Sequence, residues 1–270
     1  MSAEIVLERQ DGVATLTLNR PQVKNALTVA MCRELIELFA ALQRDNATRV
    51  LIMRGAGTDF CTGADLKEMS TTPDPVAATR SAAIMKQVKE LSWPLFRAYH
   101  ELPQAVLASA RGHAVGAGAQ FLFAADLVVA SDTLRISVPQ VKLGHNVDHG
   151  ESWYLPRKIG VSRAMQVSLL GDAIDAADAE KFGIVNWLAP DQALDARTAD
   201  IAARLAAVAP IALGETKCLM RESFARTYAE QFDAEARSIG VCTSSDDFVE
   251  AMSAAVAKRK PNFKGRDAAG

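Results

Sequence analysis

One arrangement recurs along the chain and limits what it can fold into. A short apolar run at residues 50–53 stops at Gly55-Ala56-Gly57. A loop, Phe60-Cys61-Thr62-Gly63-Ala64-Asp65-Leu66, then turns at Gly63 toward a helix starting near Asp65. Further on, the apolar run 105–110 leads into Gly112-His113-Ala114-Val115-Gly116-Ala117-Gly118-Ala119-Gln120 and a helix through Phe123. Ahead of both, Gln10-Asp11-Gly12 joins residues 5–8 to residues 13–19, where Ala14, Leu16 and Leu18 alternate with Val13, Thr15 and Thr17. Period-two alternation around Asp-Gly, which supplies positive φ, predicts a β-hairpin. Thr28 is placed to cap a helix with Met31, Leu35, Leu38, Phe39 and Leu42 on one face.

The same grammar continues. Residues 127–130 and 135–138 read as short strands, 162–170 and 176–182 as helices, and 184–188 as a strand; beyond Asp191 the pattern is almost wholly helical. We read an α/β chain of strand-strand-helix units to about residue 190. It divides into a core, 1–195, and a helical C-terminal region, 196–270. Residues 70–100, with Pro73, Pro75 and Pro94 around a helix, read as a variable wall or lid. There Trp93, Phe96 and Tyr99 either line a pocket or join the core.

Composition removes several classes of function. With 270 residues, 49% of them hydrophobic, the chain can bury a large core. A net charge of −2 gives no reason to expect nucleic acid as a partner. The four cysteines show no Cys-x-x-Cys spacing and read as reduced thiols. No apolar run approaches the ~20 residues that span a bilayer, and the N-terminus reads straight into a strand. A cytoplasmic protein is expected.

The two glycine loops carry the first chemical signal. A helix start presents backbone N–H groups without partners, and small residues leave those groups uncovered. Either loop alone is equally well explained by tight packing. Two such loops offer two donors for one oxygen, which is what an oxyanion hole needs. The second is not a P-loop, since no Gly-Lys-Ser/Thr follows. The second also lacks the dinucleotide fingerprint, because Phe121 stands where the third glycine would be.

Together with Leu18-Asn19-Arg20-Pro21, Asn25-Ala26-Leu27, Ala125-Asp126, Gly171-Asp172, residues 176–183 and Lys258-Arg259-Lys260-Pro261-Asn262-Phe263, these loops resemble the crotonase superfamily, the enoyl-CoA hydratase/isomerase family. The resemblance runs from residue 5 to 265. It implies a crotonase-like spiral of ββα turns whose C-terminal helices serve trimer contacts, giving a homotrimer or a dimer of trimers. It implies an acyl-CoA substrate, with coenzyme A as part of that substrate and no further cofactor or metal. The oxyanion donors carried over are the amides of Ala64 and Ala117; alanine at the second position, where glycine is common, adds a methyl group at the approach. Lys24, Ala26, Asp65 and Leu66 are placed along the CoA, with Phe263 and Lys264 reaching it from a neighbouring subunit.

The same resemblance exposes a departure. The two glutamates that hydratases use as acid and base fall on Gln120 and Gln140, and an amide cannot give and retrieve a proton at neutral pH. A positioned acid or base is worth about 10²–10⁴-fold, so simple hydration is expected to be poor. Asp148, eight residues after Gln140, falls where dienoyl-CoA isomerases and 4-chlorobenzoyl-CoA dehalogenase carry a catalytic aspartate. It is flanked by His145 and His149. Three readings stay open: Asp148 as acid/base, as nucleophile in aryl-CoA dehalogenation or thioester hydrolysis, or as a helix cap, since Asp148-x-x-Glu151 has capping-box spacing. A non-catalytic acyl-CoA-binding protein is the remaining alternative. Glu151 is a further carboxylate of unknown direction.

Overall fold

The computed structural model describes residues 3–70 and 77–265; Pro73 and Pro75 lie outside them. The hairpin forms as expected, β1 (Ile5–Gln10) and β2 (Val13–Leu18), with Asp11 and Gly12 both at positive φ. Helix α1 (Val29–Leu42) is capped by the Thr28 hydroxyl, which accepts from the Met31 N–H at 3.1 Å, and buries the five residues its periodicity picked out. There follow β3 (Val50–Gly55), α2 (Leu66–Ser70), α3 (Ala77–Gln87) and α4 (Trp93–His100). A π-helical turn, Val88–Ser92, joins α3 to α4. The Trp93 N–H reaches back to the Val88 carbonyl, and Pro94, which has no N–H to give, sits directly after it.

Next come β4 (Ala105–Ala110), β5 (His113–Val115), α5 (Ala117–Ala124), β6 (Leu127–Ser131), β7 (Arg135–Ser137), α6 (Glu151–Ile159), α7 (Val161–Leu170), β8 (Ile174–Asp175), α8 (Ala176–Phe182) and β9 (Trp187–Ala189). The C-terminal helices are α9 (Leu194–Ala206), α10 (Pro210–Glu222), α11 (Tyr228–Thr243) and α12 (Asp246–Val256). Six strands form one sheet in the order β1-β2-β3-β4-β6-β9, antiparallel only at β1-β2; β5, β7 and β8 form a second, mixed sheet. This is the α/β spiral expected, with its helical C-terminal part. Helix α9 covers one face of the large sheet, where Leu194, Ile201 and Ala202 meet Val50, Ile52, Leu107 and Val129.

One strand is displaced from its expected place. Residues 184–188 read as a strand, but Ile184 and Val185 both donate their N–H to the Ala179 carbonyl, closing α8 beyond Gly183 at φ 90°. The ladder therefore starts only at Trp187. Tyr99 is a core residue, fully buried between Phe39 and Phe121. Phe96 is likewise buried in the core, against Phe121, and also lines a cavity of about 410 Å³ shared with His149 and Trp153, which the exposed Trp93 faces. Among the described residues no helix is long and apolar enough to cross a membrane.

Candidate active site

The two glycine loops are stitched together edge to edge. Cys61 donates to the His113 carbonyl and accepts from the Val115 N–H, at 3.0 and 2.9 Å. On its other side the strip bridges to Leu27: the Leu27 N–H reaches the Gly63 carbonyl and the Asp65 N–H reaches the Leu27 carbonyl, at 2.7 and 2.9 Å. This ladder takes up the Asp65 N–H, the Gly63 N–H turns to the Cys61 sulfur at 3.4 Å, and the Ala64 N–H between them is given no acceptor among the described residues. Ala117 opens α5, so its N–H belongs to the first turn, which has no partner within the helix. A side chain on Gly63 would begin 3.2 Å from the Ala117 nitrogen, which brings the two loops together at that point. Gly118 is equally constrained: a Cβ there would fall on the Cys61 carbonyl. Cys61 itself is packing, with its thiol pushed up to about 12 by burial.

Of the residues expected along the CoA, Lys24, Ala26, Asp65 and Leu66 cluster beside this strip. Lys24 and Asn25 both hold left-handed φ, and the buried Asn25 amide donates to the carbonyls of Ala56 and Asp59. Arg20 donates to the Ala26 carbonyl at 2.7 Å and to the Asp65 carboxylate at 3.0 Å. That Arg20 bond holds the Asp65 carboxyl below its ordinary range, and Asp65 also accepts from the Lys67 N–H at the start of α2. Asp65 is thus engaged within the chain, while Leu66 and Lys24 are exposed. His113 lies 2.5 Å from Asp59 and 3.2 Å from the Lys24 ammonium. Phe263 and Lys264 do not join this cluster in the same chain: the Phe263 carbonyl is held by Arg49, just before β3, and the Lys264 N–H by Asp247 of α12. Asn25 and Asp65 lie past the other end of that strand.

A second cluster lies one helical turn along α5. Gln120 is fully buried and donates through Nε2 to Glu151 at 2.9 Å. Gln140, on the short turn Pro139–Leu143, points its Nε2 toward both Asp148 and Glu151, 3.4 Å from each. Glu151 is fully buried and takes a third donor, the Ser168 hydroxyl of α7, at 2.5 Å. Asp148 therefore connects to Ala117 through Gln140, Glu151 and Gln120.

Asp148 does not cap α6. The cap position is Gly150 at φ 86°, with no side-chain bond, and the Glu151 N–H goes to the backbone carbonyl of Asp148. Its carboxylate lies 2.6 Å from His149 Nδ1, though off the ideal line of an N–H bond, and this contact lowers the Asp148 carboxyl. His149 is a non-glycine residue at φ 53°, an unfavourable conformation, and its ring packs edge-on to Phe96 at 5.1 Å. His145 is exposed and turned to the Asn146 carbonyl, close enough only for its charge to be felt by Asp148. Among the described residues no trio of His, Cys, Asp or Glu is arranged to hold a metal ion.

The two carboxylates are pushed in opposite directions. Burial raises Asp148, but the His149 contact and charge, the Gln140 amide and the His145 charge outweigh it and hold the group below its ordinary range. For Glu151 burial prevails: it and the Asp148 charge raise the carboxyl against the bonds from Ser168 and Gln120. Glu151 is the member of this cluster whose role the sequence left unread. The signal was there: Glu151, Leu155 and Ile159 recur at one helical face, the buried face of α6.

Residues 8–266 match the enoyl-CoA hydratase/isomerase family model, and the chain belongs to that family. As a member it acts on an acyl-CoA. It is similar to the 1,2-epoxyphenylacetyl-CoA isomerase of Escherichia coli K12, 33% identical over 257 residues, 95% of this chain and 97% of that one. It is also similar to the 2,3-dehydroadipyl-CoA hydratase of the same organism, 30% identical over 98% of this chain and 100% of that one. The solved structure of an enoyl-CoA hydratase from Bacillus anthracis superposes with a TM-score of 0.89 at 28% identity, covering 97% of this chain and 100% of the other.

Proposed function

We propose that the protein isomerises an unsaturated or strained acyl-CoA by proton transfer, with Asp148 as the base and the amides of Ala64 and Ala117 holding the thioester oxygen. The observation that carries this reading is the pair of carboxylates with opposed environments beside the two-loop junction. Where neighbouring titratable groups are pushed apart, the lower one serves as base. Asp148 stays ionised and is half-buried, and the turn that presents it is strained at His149. With amides at 120 and 140, the water-splitting pair of a hydratase is missing, and transfer within the substrate needs only one mobile carboxylate.

The acyl group is assigned to the cavity bounded by Trp93, Phe96, His149 and Trp153, which suits a flat ring. The Escherichia coli isomerase is named for a phenylacetyl thioester, in keeping with that choice. CoA would lie along Lys24, Ala26, Asp65 and Leu66. Phe263 and Lys264 would serve a neighbouring subunit's site. Exposed apolar residues on the C-terminal helices, among them Tyr228, Phe232, Ile239, Val249 and Met252, support a homotrimer or a dimer of trimers.

The test is solvent deuterium exchange at the α- and γ-carbons of an acyl-CoA panel, read by mass spectrometry. Wild type should exchange and isomerise at least one member, with aryl or cyclic acyl groups preferred. Asp148→Asn should not. Tight thioester binding without exchange in wild type would identify a binding protein instead, and a stable acyl or aryl adduct on Asp148 would identify a nucleophile.

A further inference from the structure

Glu151 sits where the reaction proposed above has no use for a second acid, yet three side chains converge on it. Its Oε2 accepts from Gln120 Nε2 at 2.9 Å and from Gln140 Nε2 at 3.4 Å, and its Oε1 from Ser168 at 2.5 Å. The other ends of both amides, Gln120 Oε1 and Gln140 Oε1, are buried with no hydrogen-bond partner among the described residues. Gln120 and Gln140 are themselves 0% and 4% exposed, so neither oxygen reaches open solvent as compensation. A buried acceptor left unsatisfied bears its full desolvation penalty. Two such acceptors, both on side chains of the cluster that leads from Asp148 to Ala117, point to a hydrogen-bond donor that belongs to the bound state.

An amide carries its donor and its acceptor at opposite ends. An anion beside it attracts the NH₂ and repels the carbonyl, which fixes the amide's direction. We propose that Glu151 is a positioning residue of the active site: while ionised it holds Gln120 and Gln140 by their nitrogens and so presents both carbonyl oxygens, as paired acceptors, on the side away from itself. This inference rests on the proton-transfer reading for its catalytic consequence, though not for the orientation itself. Gln140 Nε2 is shared with Asp148 at 3.4 Å, so the same anchoring sets the bearing of the base. Protonation of Glu151 would replace an acceptor by an O–H donor, and the nearer amide would then gain by turning its oxygen toward Glu151. The orientation is therefore tied to one proton.

The groups that face Glu151 are Gln120 from α5, Gln140 from the turn Pro139–Leu143, Ser168 from α7, and Asp148 and His149 from the segment before α6; of these only Asp148 and His149 are titratable. Glu151 titrates above its ordinary value because of burial, and Asp148 below its own. As pH falls, Glu151 takes up a proton first, so the acid limb of activity should belong to Glu151.

Two measurements on the full chain test this. The first follows the ¹⁵N side-chain amide resonances of Gln120 and Gln140, identified by substituting each glutamine in turn, from pH 8 downward. They should shift together with one midpoint above that of an ordinary glutamate, and Glu151→Gln should abolish the shift. The second is the pH profile of proton exchange. Glu151→Gln should lower kcat by about tenfold to a hundredfold, as expected for misplaced groups, leave KM for the thioester unchanged and move the acid limb to lower pH. Ser168→Ala, which keeps the carboxylate but removes a bond to its ionised form, should move the limb upward. Amide resonances that do not titrate, or an acid limb unmoved in both variants, would overturn the proposal. If Glu151→Gln does not fold, the direction of the Ser168→Ala shift decides. If wild type exchanges no acyl-CoA, the proton-transfer reading fails while the resonance titration still decides the orientation.

Discussion

A methyl group at position 63 tests the oxyanion-hole assignment directly. Gly63 holds φ 83°, and a Cβ there would lie 2.7 Å from the Val115 carbonyl oxygen and 3.2 Å from the Ala117 nitrogen. The first distance is roughly 0.7 Å short of ordinary van der Waals contact, which begins at 3.4 Å. Two routes relieve the overlap. Val115 can retreat, and Ala117, two residues on in the same loop, moves with it. Alternatively residue 63 leaves the left-handed region, which rotates the following peptide and redirects the Ala64 N–H. Each route displaces one of the two proposed donors. Losing one donor costs about 3–4 kcal/mol, or 10²–10³ in kcat. The direct stability cost of alanine in a left-handed conformation is about 1–2 kcal/mol. Gly144→Ala is the control: it too has positive φ, at 80°, but a Cβ there meets nothing within 4 Å. It should share the stability cost and keep turnover within a few-fold. The assay is kcat and KM for the best acyl-CoA, with urea unfolding of both variants. A folded Gly63→Ala enzyme with turnover equal to that of the control would refute the assignment.

Asp148→Asn should lower exchange by about 10²–10⁴, the range for a positioned base, while KM for the thioester stays within a few-fold because neither loop is touched; a tenfold rise in KM with kcat intact would instead mark a binding role. Lys158 and Lys217 flank Asp126 in a cavity of about 770 Å³ between α10 and the core, and burial pushes both ammonium groups down to about 8. Their charged forms are penalised in the fold, so that penalty is full below pH 8 and lifts as pH rises from about 8 toward the ordinary lysine value of 10.5. Lys158→Met should therefore stabilise at pH 7, by on the order of 1–2 kcal/mol, with the gain shrinking between pH 8 and 10.5; thermal midpoints across that range check the sign. The exposed apolar faces of α11 and α12 lead us to expect a mass three or six times that of one chain by light scattering, and Phe232→Asp to lower it.

Local patterns were legible in the sequence because their causes are local. The hairpin follows from Asp11-Gly12 and alternation, α1 from Thr28 and one apolar face, and the glycine loops from residues whose conformations only small side chains tolerate. What the sequence hid depended on direction. Asp148 and Glu151 have the spacing of a capping box, but with Gly150 as the cap, at positive φ, the helix starts two residues too late for Asp148 to cap it, which frees its side chain for Gln140 and His149. Ile184 and Val185 are as β-prone as any strand, yet the Gly183 turn consumes their N–H groups. Gln120 and Gln140 looked like losses when taken one at a time. Their meaning depended on a third position, Glu151, that no spacing rule ties to them.

That dependence yields a last prediction. Restoring the hydratase pair with Gln120→Glu and Gln140→Glu looks like a simple route to hydration. Here, though, the side chain at position 120 lies 2.9 Å from the Glu151 carboxylate, and a second charge at that distance costs about 5–6 kcal/mol at an effective dielectric of 20. His149 offers little offset, because Asp148 already engages it; the carboxylate introduced at position 140, where the amide lay 3.4 Å from Glu151, adds to the repulsion, and the neutral Ser168 is the hydrogen-bonding partner that remains. The new carboxylate at position 120 and that of Glu151 would share one proton, as two abutting carboxylates must. The double variant should therefore hydrate a short enoyl-CoA no better than wild type near pH 7, and it should lose stability as pH rises and the shared proton is drawn off. Adding Glu151→Gln removes the conflict: position 151 then offers an amide donor to the carboxylate introduced at 120, and the count of carboxylates at positions 120, 140 and 151 falls from three to two. Hydration should then rise by at least tenfold over the double variant. If the double variant alone hydrates as well as the triple, Glu151 does not control the charge state of this site, and the reason for amides at 120 and 140 lies elsewhere.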